Sequence, residues 1–229
     1  MSPITPQRNA APRPDPVDPQ RLEGRFSRRL DELRLILAHS DPVTIAGFSG
    51  AIFTPGDALL PPGDRLNLAL WSRPISISCS EWVAYPEGED QPLSAFDQAL
   101  LLYYLTTADG APLTGEWIAF SDLPDGRFYN QAFQGYTGME LARLFQDDRV
   151  AFERAAQSLG GVHQPLGDAA YAFQALPRAP LLAVYWQGDE DFPSNCQVLF
   201  DAVASHYLPT DAYAILGSTL TRRLIKARR

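Results

Sequence analysis

Apolar side chains recur at helical spacing from Leu22 through Phe26, Leu30, Leu33 and Leu37, and Asp18-Pro19 precedes them as an N-cap and first helical position. This pattern predicts an amphipathic helix over about 19–39. The period then shortens. Val43 to Phe53, Asn67 to Trp71 and Ile75 to Tyr85 are β-rich runs separated by Pro55-Gly56-Asp57, Pro61-Pro62-Gly63-Asp64 and Ser72-Arg73-Pro74. Ile75, Ile77 and Cys79 alternate with Ser76, Ser78 and Ser80, as a strand with one buried face requires. An antiparallel meander is expected here.

A helix is predicted from Ser94 to Ala108, closed by Asp109-Gly110, because Phe96, Leu100, Leu101, Tyr103 and Tyr104 stand among few charges. Pro112 to Gly138 has no sustained period and reads as a long loop. Thr137 is placed to cap a helix through Met139, Leu141, Leu144 and Phe145, and Val150 to Leu159 forms another before Gly160-Gly161. Ala169 to Leu176 and Leu181 to Trp186 read as a hairpin about Pro177 and Pro180. Ser194 to Leu208 and Thr210 to Arg228 are predicted helices, the second with Thr210 as its cap. Strands grouped early and late, rather than alternating with helices, predict an α+β fold: an antiparallel sheet, built from the meander and the hairpin, packed with about five helices in a single domain over 19–229. Six of the 20 prolines fall within the first 20 residues, so residues 1–18 read as a disordered Pro-rich tail.

Charge narrows the partners. The chain has 19 Lys and Arg against 27 Asp and Glu. Seven Arg and five acids lie in residues 1–34, and four Arg with one Lys end the chain, which leaves residues 35–217 with a balance of −15. Such a body repels phosphate backbones, so nucleic acid is not an expected partner, whereas a basic protein or a cation is. Arg222, Arg223, Lys226, Arg228 and Arg229 close a helix, where cations complement its dipole. No apolar run approaches the roughly 18 residues of a membrane span, and no secretory signal opens the chain. No membrane contact is expected, and the cytoplasm is the expected location.

Candidate chemistry is sparse. Cys79 and Cys196 form no CxxC and have no His at ligand spacing, and His39, His163 and His206 form no HExxH. GxSxG, P-loop and GxGxxG patterns are absent as well, so no residue is assigned a catalytic role. The densest polar feature is Asp189-Glu190-Asp191, between Trp186 and Phe192-Pro193. Three adjacent carboxylates are either a solvated helix-capping loop or a cation or basic-ligand site completed by Asp168 or Asp201. Trp117, Phe120, Phe128, Tyr129, Phe133 and Tyr136 crowd the long loop, where they serve as core or line an apolar pocket.

Three stretches, LLYYLTTADGAPLTGEWIAFSDLPDGRFY, GDAAYAFQALPRAPLLAVYWQGDEDFP and VLFDAVASHYLPTD, together resemble the bacterial and archaeal family known as domain of unknown function 3786, over about residues 25–220. The matching positions are Trp117, Leu123, Pro124, Gly126 and Tyr129 in the first, Gly167, Asp168, Pro177, Arg178, Trp186, Asp189, Glu190, Phe192 and Pro193 in the second, and Phe200 and Asp201 in the third. The resemblance implies an association with corrinoid or one-carbon metabolism and, in some members, a cysteine-bearing iron–sulphur segment at the amino end. Here that end is Pro-rich and free of cysteine.

The reading that results is a non-catalytic binding or accessory protein. Its pocket is formed by the Trp117–Tyr136 segment and the Trp186–Phe192 turn, with Trp117, Tyr129, Trp186 and Phe192 as apolar surface and Asp168, Arg178, Asp189, Glu190 and Asp201 as polar contacts. The ligand is a small molecule or cation, and no cofactor is assigned. Two alternatives stay open. One is an enzyme in which Asp189 or Glu190 works with Asp201 as an acid–base pair, with or without a metal; the other is a structural module that docks a basic partner.

Overall fold

The computed structural model describes residues 19–56 and 63–228, with side chains from Arg28 onward. The proline-rich segment 1–18 and the turn at Pro61-Pro62 lie outside the described residues, as does Arg229. Helix α1 (Pro19–Ala38) buries Leu30, Leu33 and Leu37 of its expected apolar stripe, while the side chains of Leu22 and Phe26 lie outside the described residues. Burying each such side chain stabilises by about 1.5–3 kcal/mol. The stretch expected to continue as strand from Val43 instead forms α2 (Pro42–Ser49), followed by the short strand β1 (Ile52–Thr54). Local chemistry decides this. Asp41 accepts from the Val43 and Thr44 amides, Pro42 sits in the first turn, and Gly50 closes the helix at φ 72°.

Strands β2 (Arg65–Leu70), β3 (Arg73–Ser78) and β4 (Ala84–Pro86) complete an antiparallel four-stranded sheet in chain order. The run expected to be continuous from Ile75 to Tyr85 therefore turns back on itself after Ser78. At the β2–β3 turn, Trp71 and Ser72 take φ 52° and 66°, and the Trp71 amide donates to Ala175 O at 2.8 Å, tying this sheet to the second one.

That second sheet is antiparallel, with order β5-β9-β8-β7-β6. It comprises β5 (Trp117–Ala119), β6 (Val162–His163), β7 (Ala169–Leu176), β8 (Ala179–Trp186) and β9 (Asn195–Asp201). The predicted hairpin is β7–β8. The helix predicted from Ser194 is a correction: Cys196, Val198 and Phe200 alternate into the core, and β9 is locked between β8 and β5. Neither Asp191 nor Ser194 thus caps a helix.

Helix α3 (Ala95–Thr107) starts at Ser94, which accepts from the Asp97 amide. The long loop predicted from Pro112 to Gly138 contains β5, a single 3-10 turn at 120–122 and helix α4 (Gly126–Tyr136). Helix α5 (Gly138–Phe145) follows at once, and Thr137 donates to Phe133 O at 2.5 Å rather than capping it. A Cβ at Gly138 would lie 2.3 Å from the Cys196 carbonyl, so only glycine lets α5 approach β9 this closely. Helices α6 (Arg149–Ser158) and α7 (Thr210–Ala227) complete the fold, Pro209 rather than Thr210 standing at the α7 cap.

The main core is one continuous cluster that runs from the first sheet, with Leu66, Ile75 and Ile77, through the helices to the inner face of the second sheet. Phe120 and Phe133 stack with ring centres 4.1 Å apart, and Phe200 meets Tyr213 edge-on at 5.1 Å. The basic end of α7 is spent on packing, with Arg223 over the Trp71 ring and Arg228 over Phe145. Among the described residues, no helix is long and apolar enough to cross a membrane.

Candidate functional site

The aromatics of segment 117–136 divide three ways. Phe120 and Phe133 are core. Trp117 is half-buried on the outer face of the second sheet, where it joins Trp186 in a small apolar cluster around Leu182, Val184 and Leu199. Phe128 and Tyr129, 85% and 67% exposed, project from α4.

Tyr129 lines a cleft of about 1000 Å³ between α1, α3, α4 and α7. Its walls are mostly apolar, with Leu33 and Ile36 from α1, Tyr136 from α4 and Ile215 from α7. Asp125 and Asp211 stand at its polar margin. Arg29 also reaches it, but that guanidinium is held by Glu32 at 2.8 Å and by the Tyr103 hydroxyl at 2.6 Å. The cleft continues into a smaller hollow of about 290 Å³ that shares Tyr136, Ala214 and Ile215 and ends at Phe96 and Arg222.

The acidic turn builds a different hollow. Asp189, Glu190 and Phe192 face Arg143 and Asp147 from the end of α5 across about 770 Å³. No residue lines both this hollow and the large cleft. The single pocket expected to join segment 117–136 to the Trp186–Phe192 turn is therefore a correction: the two hollows are separate, and Trp117 and Trp186 share only the small cluster on the outer sheet face.

Most of the polar residues expected in that pocket are occupied by the backbone. Asp189 accepts from the Asp191 and Phe192 amides at 2.9 and 2.8 Å, a local turn that explains why its carboxylate can sit beside two others. Asp168 accepts from the Gln187 amide at 2.8 Å, while its own amide donates to Tyr185 O. Arg178 occupies the β7–β8 turn, and its amide donates to the Tyr104 hydroxyl at 2.9 Å. That hydroxyl in turn donates to Ser49 O at 2.5 Å, and burial pushes its pKa well above the usual tyrosine value.

Asp201 is only 2% exposed. Its carboxylate accepts from the amides of Thr114, Gly115 and Val203 and from the Thr114 hydroxyl, and so anchors the segment leading into β5. It also lies at the far end of β9 from Asn195, which pairs with Trp186. Six strand steps at about 3.3 Å put it roughly 20 Å from the acidic turn. Even inverting two-carboxylate sites, the wider kind, span only roughly 6.5–9.5 Å, so the acid–base pair of Asp201 with Asp189 or Glu190 is not formed. Among the described residues, no group of three or more His, Cys, Asp or Glu is placed to hold a metal ion.

One partnership was invisible to residue spacing. His206 Nδ1 lies 2.6 Å from Asp109 Oδ2, 97 positions away, and this contact together with the Ala111 amide holds the Asp109 carboxyl below its ordinary range. The pair is exposed and outside the cleft. The cleft itself did leave a trace in the sequence: Ile36 sits off the buried stripe of α1, and Ala214 and Ile215 sit beside the buried Tyr213 and Leu216 of α7.

Residues 41–223 match the family described as domain of unknown function DUF3786. The chain belongs to that family. The match takes in α3 and α4 and α7 as far as residue 223, but not α1. No curated protein sequence and no solved structure matches the chain.

Proposed function

We propose that this member of the DUF3786 family is a cytoplasmic binding or accessory protein whose recognition surface is the cleft between α1, α3, α4 and α7. The observation that carries the reading is an apolar cavity of about 1000 Å³ into which Ile36, Tyr129 and Tyr136 are exposed rather than folded away. Ligand sites of this kind run to about 300–1,000 Å³, lined by apolar and aromatic groups with a few polar ones at the margin. Tyr129 is kept from the residues expected to bind, while Asp125 and Asp211 take the anionic role first given to Asp189, Glu190 and Asp201. The unpaired thiols of Cys79 and Cys196 suit a reducing compartment.

Nile red, a neutral dye that brightens in apolar surroundings, tests the surface directly. The chain should bind it, and Ala214→Glu, which puts a carboxylate into the cleft, should abolish most of the response with the fold intact by circular dichroism. Undiminished binding by that variant would refute the reading. The link to corrinoid or one-carbon metabolism suggested by the family resemblance makes cobalamin the first competitor to add. Displacement of the dye would tie the cleft to that chemistry.

A further inference from the structure

The cleft is elongated along one face of α7. Asp211, the adjacent pair Ala214 and Ile215, Ser218 and Arg222 line it in succession, each step between them three to four residues. Eleven helical steps of about 1.5 Å give this face a length of about 16 Å, or three turns of helix. Its ends carry opposite charge. Asp125 and Asp211 lie at the end where α7 begins, and Arg222 lies at the other. Among the described residues none of these three charges has an ion-pair partner.

Resting on the binding role proposed for this cleft, we infer that its occupant is an amphipathic α-helix of a partner protein, lying antiparallel to α7. A groove that is mostly apolar between charged ends and about three turns long accepts anchors spaced i, i+4 and i+7 from one helix. The charges fix the direction. A stable helix carries acids in its first turn and bases in its last, since these complement its own dipole. Laid antiparallel to α7, such a helix brings its acidic start to Arg222 and its basic end to Asp125 and Asp211. The same orientation sets its dipole against that of α7, which the parallel orientation does not. A second copy of this chain is a poorer occupant, because a twofold axis through the cleft would set one concavity against another and leave the space unfilled.

The test uses the full chain and three synthetic peptides of about twelve residues, read by displacement of Nile red and by circular dichroism. The first has Leu at i, i+4 and i+7, Glu in its first turn and Lys in its last. The second exchanges the Glu and Lys positions, and the third has a central Pro. The first should displace the dye and become more helical. The second should be about tenfold weaker at low salt, a gap that closes in 1 M salt, as expected for exposed charge pairs. The third should fail. In the double variant Asp211→Lys with Arg222→Glu, the preference between the first two should reverse. Equal displacement by all three peptides overturns the inference. So does failure of every peptide while Nile red still binds and Ala214→Glu abolishes it, which leaves the binding role of the cleft standing for a small molecule. A dimer in sedimentation that excludes the dye would assign the surface to a second copy and overturn it as well. Absence of dye binding by a monomer would remove the binding role itself.

Discussion

Asp201 distinguishes a structural carboxylate from a ligand-binding one, and Asp201→Asn is the perturbation that decides. The substitution keeps size and shape but turns one oxygen into an NH2 group. Oδ1 accepts three hydrogen bonds, from the Thr114 amide and hydroxyl and from the Val203 amide, whereas Oδ2 accepts one, from the Gly115 amide at 2.8 Å. The amide oxygen will therefore take the Oδ1 side, and two donors will face each other at Gly115. One unsatisfied buried donor costs about 1–3 kcal/mol, and the three remaining bonds lose their charge assistance. Relief of the desolvation penalty on a carboxylate that is 2% exposed offsets part of this. A net loss of about 2 kcal/mol follows, which for a chain of this size lowers Tm by about 4–8 °C. Urea and thermal denaturation, with the m-value checked for constancy, measure it. Nile red binding at temperatures below the transition should be unchanged. A variant that melts with the native protein yet loses ligand would show that Asp201 is a contact residue and refute the structural reading.

Gly138→Ala should destabilise by about 1–3 kcal/mol in urea denaturation, because its methyl group meets the Cys196 backbone carbonyl, which cannot rotate away. Native Cys79 and Cys196 should resist iodoacetamide at neutral pH by mass spectrometry; burial, with Asp64 adding to it at Cys79, pushes their pKa values to about 11 and about 12. Rapid alkylation of either would contradict the packing. The Asp109 carboxyl is held below its usual value by His206 first and the Ala111 amide second, so the stability it contributes is present above the ordinary carboxylate range. It is lost as pH falls through the lower folded value. Asp109→Asn should flatten that acid limb below about pH 4, as followed by urea denaturation at successive pH values; an unchanged limb would show that the contact does not persist in solution.

Elements with long, uninterrupted periods were legible in the sequence: α1 from its leucine stripe, α3 from its apolar residues among few charges, and β7–β8 from two β-rich runs around a proline turn. The errors have separate causes. In α2 the apolar run from Val43 has no helical stripe, and the deciding signals were its ends, Asp41-Pro42 and Gly50. In α4 the start has no side-chain cap, since Asp125 takes φ 57° and makes no capping bond, and the helix leaves Phe128 and Tyr129 in solvent. Phe128, Tyr129, Ala132, Phe133 and Tyr136 do share one face at helical spacing, but Pro124-Asp125-Gly126 and Gly135 are turn residues that make the segment read as a loop. Strand β9 owes its form to neighbours on both sides, β8 and β5, which sequence spacing does not reveal. For the site, Tyr129 and Tyr136 were identified within segment 117–136, but their companions on α1, α3 and α7 were not, because the cleft is assembled from four helices. Asp168, Asp189 and Asp201 drew attention as carboxylates among aromatics, and each instead accepts backbone amides.

The role given to the cleft is tested most directly by NMR chemical-shift mapping with Nile red on the full chain. Shifts should concentrate at Ile36, Tyr129, Tyr136, Ala214 and Ile215. Shifts centred on Asp189 to Ser194, or on Trp117 and Trp186 across the outer sheet face, would contradict the account.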